Sequence, residues 1–273
     1  MVDGDEATCH EDAHVGEVAQ GEVRLEATGA VAVLTLARPA KLNAITPEMT
    51  EQLARHVAEL NRRRDVRVAV LTGAGRAFCV GSDIASLATY ETAWEFRNRL
   101  DYCDVVRTLR IPILAALNGY AYGGGLELAL ACDVRLAATT ASFAAPEIKL
   151  GWIGGAGQSF GLVHSVGPSN AALMLLTGDP IDAETALHWR LVSRVVEPEA
   201  LLPTTLELAA RIASRAPIAA ETVKANLHAA YALPPELAIR YERDLQAVCF
   251  GTEDAAEGRA AFSERRTPEF RGR

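Results

Sequence analysis

No C-x-x-C pair occurs in this chain, and its five cysteines, at positions 9, 79, 103, 132 and 249, are odd in number. A disulfide framework and a cysteine zinc site are therefore not expected, and a reducing compartment such as the cytoplasm fits. No uninterrupted apolar run reaches about 18 residues, so no membrane-spanning helix is expected. Positive charge is in short supply. Lys and Arg total 27 against 35 Asp and Glu, a formal net charge of −8, which argues against a nucleic-acid partner. The first twenty residues lack a basic stretch followed by an apolar one. Met1 to Gln20 is polar and acidic and reads as a mobile tail, not a secretory signal. A dinucleotide fingerprint is missing as well, because Gly155-x-Gly157 is followed by Phe160 where G-x-G-x-x-G needs a glycine.

What is present is a chain of 273 residues, 49% hydrophobic and 23% charged. That supports a packed core, as one large domain or two smaller ones. Glu22 to Thr28 and Val31 to Ala37 are β-rich runs around Gly29-Ala30, a hairpin signal. Thr46 suits a helix N-cap and Pro47 the first helical position, with Leu53, Val57 and Leu60 as the apolar stripe. Val66 to Thr72, Ile113 to Leu117 and Val134 to Ala138 read as buried strands. Helices are expected over Ala93 to Leu109 and Gly125 to Ala131. From Ser169 onward the pattern is mostly helical, with breaks at Gly178-Asp179-Pro180, Pro198, Pro217 and Pro234-Pro235. The front two-thirds repeats strand, loop, helix, which implies a layered α/β core with a helical C-terminal region. Periodicity alone fits both a doubly wound sheet and a strand–helix spiral.

Two glycine loops carry the chemical signal. The first is Arg76-Ala77-Phe78-Cys79-Val80-Gly81-Ser82-Asp83. The second is Asn118-Gly119-Tyr120-Ala121-Tyr122-Gly123-Gly124-Gly125-Leu126-Glu127. Glycine lets main-chain N–H groups approach a ligand oxygen closely. Two such loops can each direct one N–H at a developing oxyanion. Ordinary strand-to-helix turns would use the same glycines, although three of them at a helix start cost about 1 kcal/mol each relative to alanine in a helix interior. Asp83 suits a helix cap better than catalysis, and Cys79 a small buried position. Glu127 lies in the apolar run Leu126 to Ala131, where a carboxylate is either ion-paired or functional. Glu147 follows Pro146 in Phe143-Ala144-Ala145-Pro146-Glu147. Two carboxylates beside an oxyanion hole suit proton transfer and the steering of water, next to a thioester or a similar carbonyl.

Taken in order, these segments resemble the crotonase superfamily, the enoyl-CoA hydratase/isomerase family. The resemblance covers roughly residues 20 to 270. It also rests on Arg38-Pro39-Ala40-Lys41-Leu42-Asn43-Ala44, Cys132-Asp133, Leu176-Thr177-Gly178 and Ala261-Phe262. It implies an α/β fold coiled as a spiral of β-β-α turns over residues 21–200. Residues 201–273 are then a helical region that forms trimers or dimers of trimers. It implies oxyanion donors at the Ser82 and Gly124 N–H groups and catalysis by Glu127 and Glu147. CoA contacts are implied at Ala40, Lys41, Leu42, Ser82, Asp83 and Ile84, with Arg265 reaching a neighbouring subunit. The substrate is an acyl-CoA, so CoA arrives with it and no metal or redox cofactor is implied. Retention of both glutamates favours hydration over isomerisation. The chain departs from the family pattern in four places. Lys41 stands one position late, Ala144-Ala145 replaces Gly-Gln, Gly154 stands for proline, and Arg190 stands for a glycine.

One motif competes. Gly157-Gln158-Ser159-Phe160-Gly161 matches the G-x-S-x-G elbow of serine hydrolases, with Asp179 or Asp182 and His188 or His228 completing the order. That elbow needs a strand leading into the serine, and Gly151 to Ala156 is too glycine-rich for one. His164 and His188 read as ordinary helix residues. A third possibility is an acyl-CoA-binding protein without catalysis, which retention of both glutamates argues against.

Overall fold

The computed structural model describes residues 21–273. The tail expected over residues 1–20, and Cys9 within it, lie outside the described residues. The chain opens with the expected hairpin, β1 (Glu22–Thr28) and β2 (Val31–Ala37), paired antiparallel around Gly29 at φ 58°. Helix α1 (Pro47–Arg62) starts as its sequence requires. The Thr46 side chain accepts from the Met49 N–H, and Leu53, Val57 and Leu60 are buried.

Three turns of one plan follow. Each places a longer strand in one sheet and a short strand in a second, then a helical segment. The first turn has β3 (Val68–Gly73), β4 (Ala77–Cys79) and three short helices, α2 (Ile84–Leu87), α3 (Ala93–Arg97) and α4 (Tyr102–Arg107). The second has β5 (Ile113–Leu117), β6 (Tyr120–Tyr122) and α5 (Gly124–Leu130). The third has β7 (Val134–Ala138), β8 (Ser142–Ala144), a 3-10 helix (Pro146–Leu150) and α6 (Gln158–Thr177). Then come β9 (Ile181–Asp182), α7 (Ala183–His188) and β10 (Arg194–Val196). Four helices end the chain, α8 (Pro198–Ala213), α9 (Pro217–Ala232), α10 (Pro235–Phe250) and α11 (Glu253–Glu264). One sheet has the order β1-β2-β3-β5-β7-β10, and the other β4-β6-β8-β9. This is the spiral that the resemblance implies, and the doubly wound alternative is set aside.

The larger sheet is covered on both sides, as parallel strands require. Side chains alternate along each strand. Val68, Val70, Leu114, Ala116, Leu136 and Ala138 pack against Leu201, Ala209 and Ala213 of α8. Ala69, Leu71, Ile113, Ala115 and Leu117 face the main core on the other side.

Two expectations need correction. The single helix expected over Ala93 to Leu109 is two, α3 and α4, separated by residues 98–101. Asp101 starts the second by accepting from the Cys103 N–H at 2.8 Å and the Asp104 N–H at 3.4 Å. A local cap wins over a continuous helix there. Helicity also begins at Gln158, earlier than Ser169, and kinks at Gly167 (φ 79°, ψ 163°) before Pro168. Arg190, where the family pattern has glycine, adopts φ 66°, a left-handed conformation that glycine takes without strain. Among the described residues no helix is long and apolar enough to cross a membrane.

Candidate active site

The two glycine loops meet because β4 and β6 pair in parallel, Ala77 with Tyr120 and Cys79 with Ala121. Their following residues therefore leave the sheet side by side. A Cβ on Gly81 would lie 2.8 Å from the Gly124 nitrogen, and one on Gly124 would lie 1.9 Å from the Tyr102 hydroxyl. A Cβ on Gly125 would lie 2.0 Å from the Cys79 carbonyl oxygen. Gly81 and Gly123 also hold φ of 95° and 55°. Close backbone approach thus accounts for glycines that weaken a helix start.

Peptide geometry sets the direction of the donors. The Gly81 carbonyl accepts from the Ile45 N–H at 2.8 Å, and the Asp83 N–H donates to the Ile45 carbonyl at 2.9 Å. In a trans peptide C=O and N–H point opposite ways, so the Ser82 N–H faces away from Ile45. The Gly123 carbonyl accepts from the Leu126 and Glu127 N–H groups inside α5. The Gly124 N–H, in the same peptide, therefore points out of the helix start, where donors lack intrahelical partners. Ser82 and Gly124 both line one cavity of about 170 Å³, together with Glu127 and Glu147. Tyr102 supports this corner, its hydroxyl lying 3.2 Å from Ser82 Oγ.

Glu127 is only 5% exposed. Its Oε1 accepts from the Ala156 N–H at 2.7 Å. Burial pushes its carboxyl up to about 7; the Ala156 N–H opposes the shift and the nearby Glu147 charge adds to it. The Ala156 carbonyl is held in turn by the Arg107 guanidinium of α4. Glu147 stands on the 3-10 helix between Pro146 and the left-handed Gly151. Its Oε1 accepts from Gln158 Nε2 at 3.0 Å, while its Oε2 is buried without a hydrogen-bond partner.

Asp83 takes the structural role read from its sequence. It caps α2 through the Ala85 N–H at 3.0 Å and pairs with Arg38 Nη1 at 2.6 Å. The Arg38 guanidinium holds its carboxyl below the ordinary aspartate value. Cys79 is fully buried, and burial pushes its thiol up to about 12. The segment from Arg38 to Ala44 is locked beside the first loop by Asn43. Its side chain accepts from the Arg38 N–H and donates to the Ala74 and Ala77 carbonyls. Ala40 and Lys41 are exposed there and Leu42 is half-buried; Ile84 lines the cavity mouth at 62% exposure. Arg265 ends α11 in a left-handed conformation, exposed and outside the cavity lining of its own chain.

The serine-hydrolase constellation is not assembled. Ser159 is exposed in the first turn of α6, after an irregular segment with no strand. Asp182 caps α7 and Asp179 pairs with Lys149. Sequence reasoning missed Gln158, Tyr102, Arg107 and the Ala156 N–H. Gln158 was marked in the sequence only by its place in the G-x-S-x-G motif.

A family model described as enoyl-CoA hydratase/isomerase matches residues 26–273. The chain is 41% identical over 253 residues to (E)-benzylidenesuccinyl-CoA hydratase of Thauera aromatica, covering 92% of this chain and 99% of that protein. It is 37% identical to 2,3-dehydroadipyl-CoA hydratase of Escherichia coli (strain K12), covering 89% and 96%. The crystal structure of an enoyl-CoA hydratase from Bacillus anthracis superposes with a TM-score of 0.88 at 33% identity, covering 92% of this chain and all of that one. With the fold, the paired loops and the two glutamates in place, the chain belongs to the enoyl-CoA hydratase/isomerase family.

Proposed function

We propose that the protein hydrates a trans-2-enoyl-CoA to the 3-hydroxyacyl-CoA by syn addition, or runs the reverse dehydration. The observation that carries this reading is the convergence of Glu127, Glu147 and the two glycine loops on one cavity. The Ser82 and Gly124 N–H groups polarise the thioester carbonyl, which makes Cβ electrophilic and stabilises the enolate. Glu127 takes a proton from water as it adds to Cβ, and Glu147 delivers a proton to Cα. A carboxyl near 7 suits proton exchange at neutral pH. The reaction is redox-neutral, so it calls for no redox cofactor, and CoA enters as part of the substrate.

CoA is assigned to the exposed edge formed by Ala40, Lys41 and Leu42 with the first loop from Ser82 to Ile84. Arg265 is assigned to the CoA of a neighbouring subunit. Self-association as a trimer or dimer of trimers, through residues 201–273, is supported by apolar side chains left exposed on the last helices, among them Leu227, Tyr231, Phe250 and Phe262. A cytoplasmic location accords with the sequence.

The test is a screen of crotonyl-, medium-chain and branched enoyl-CoAs that follows loss of the conjugated thioester absorbance. Hydration of at least one is expected. Inactivity on all of them, with acyl-CoA still bound, would favour a binding protein.

A further inference from the structure

Gln158 was singled out only as a spacer in the G-x-S-x-G motif, yet it touches both halves of the site. It opens the 20-residue helix α6 and is 2% exposed. Its side-chain Nε2 donates to Glu147 Oε1 at 3.0 Å and, more weakly, to the Gly123 carbonyl at 3.4 Å. The Gly123 carbonyl belongs to the same peptide as the Gly124 N–H. Its main-chain N–H faces the Glu127 carboxylate and favours the charged form. The other Glu147 oxygen, Oε2, is buried without a partner, a state that costs free energy unless a ligand or water completes it. Space for this amide comes from Gly154. A Cβ there would lie 2.5 Å from Gln158 Oε1 and 2.7 Å from Gln158 Cβ.

We propose that Gln158 is a positioning residue for Glu147. Its amide holds Oε1 and so leaves Oε2 as the oxygen that exchanges the proton with substrate, and Gly154 makes the room that this amide needs. Glutamine offers an N–H donor that stays neutral, so it orients a carboxylate without adding a charge that would compete for the proton. The contact to the Gly123 carbonyl ties the same amide to the second glycine loop. One side chain thus sets the distance between the proton donor and the site of the developing oxyanion. The proposal rests on the hydratase reading above.

The experiment measures kcat and KM of wild type and variants on the enoyl-CoA that wild type hydrates best. Gln158→Met keeps length and loses the donor. It is expected to lower kcat by about tenfold or more, the value of one hydrogen bond to a charged group, with KM within about twofold. Gly154→Ala, which must displace the amide, is expected to give the same split. On a Gln158→Gly background, where there is no side chain left to displace, Gly154→Ala is expected to cost nothing further. Thermal melts run in parallel identify any variant that fails to fold, and the Gly154 pair then carries the test. Full kcat in Gln158→Met, a KM that rises in step with lost kcat, or additive losses in the Gly154 pair overturns the proposal alone. A wild type inactive on every enoyl-CoA overturns the hydratase reading, and this proposal with it.

Discussion

Glu127 and Glu147 share a cavity but occupy seats built in different ways. Glu127 belongs to a regular helix within an apolar run, and a main-chain N–H from Ala156 holds its carboxylate. Glu147 belongs to a single stretch of 3-10 helix between a proline and a left-handed glycine, and a side chain, Gln158, holds its carboxylate. The first seat is made of backbone and resists most substitutions around it. The second depends on one amide and the space that amide occupies. Two identical side chains can thus be held by different kinds of partner and given different tolerance to mutation by their surroundings alone.

The largest effects should come from removing either carboxyl. Glu127→Gln and Glu147→Gln are each expected to lower kcat by about 10²-fold or more with smaller changes in binding. If both hold one water, the double variant should lose less than the product of the single losses. Steady-state kinetics decides this, and full activity in either single variant would remove that residue from the chemistry. Double-bond migration that persists in Glu127→Gln while hydration is lost would shift the balance toward isomerisation.

Next in size is Gly124→Ala. Its methyl group would fall 1.9 Å from the hydroxyl of the buried Tyr102, which must shift to make room. Overpacking of this kind costs about 1–3 kcal/mol, and the displaced N–H should cost kcat about tenfold or more. Melting curves and kinetics together would show both losses. A variant as active and as stable as wild type would mean that the two loops do not meet at Gly124.

A subtler effect concerns Glu127 and pH. Glu127 has its carboxyl raised from the ordinary 4.5 to about 7 in the folded protein. A raised carboxyl binds its proton more tightly when folded, so ionisation at high pH costs stability. That cost is absent below about 4.5, grows as the pH climbs to about 7, and is constant above. Its full size is on the order of 3 kcal/mol. Glu127→Gln should therefore raise the melting temperature at pH 8 and do little near pH 4.5, at the expense of activity. An equal change in melting temperature at both pH values would contradict this assignment.

The smallest expected effect is at the neighbour of Gln158. Ser159→Ala should leave kcat and KM unchanged, because Ser159 faces solvent. A fluorophosphonate probe should not label Ser159; labelling would revive the hydrolase alternative.

Much of this was legible in the order of residues. The hairpin, α1 with its Thr46 cap, the three buried strands and both glycine loops follow from local pattern and turn chemistry. Glu127 stood out because a carboxylate interrupts an apolar run. What local pattern did not supply was contact made across the spiral. The four-stranded sheet is built from strands of two or three residues, too short for a periodic signal. The break in the helix expected at Ala93 to Leu109 depends on Asp101 capping, which competes with a continuous apolar stripe. Gln158 acquires its partner from a segment eleven positions away on another element, and Arg107 from one forty-nine away. Neither pairing follows from spacing along one helix.

The meeting of Gly81 with Gly124 has a consequence for inheritance. The groups assigned to polarise the substrate belong to the main chain, which every residue except proline carries. A point change at position 82 can alter what surrounds the Ser82 N–H without deleting it. The apolar part of the same cavity's lining, by contrast, is written in exchangeable side chains such as Ile84, Leu87, Phe96, Trp152 and Ile153. Drift across generations can therefore rewrite which acyl group is accepted while the capacity to activate a thioester is passed on intact.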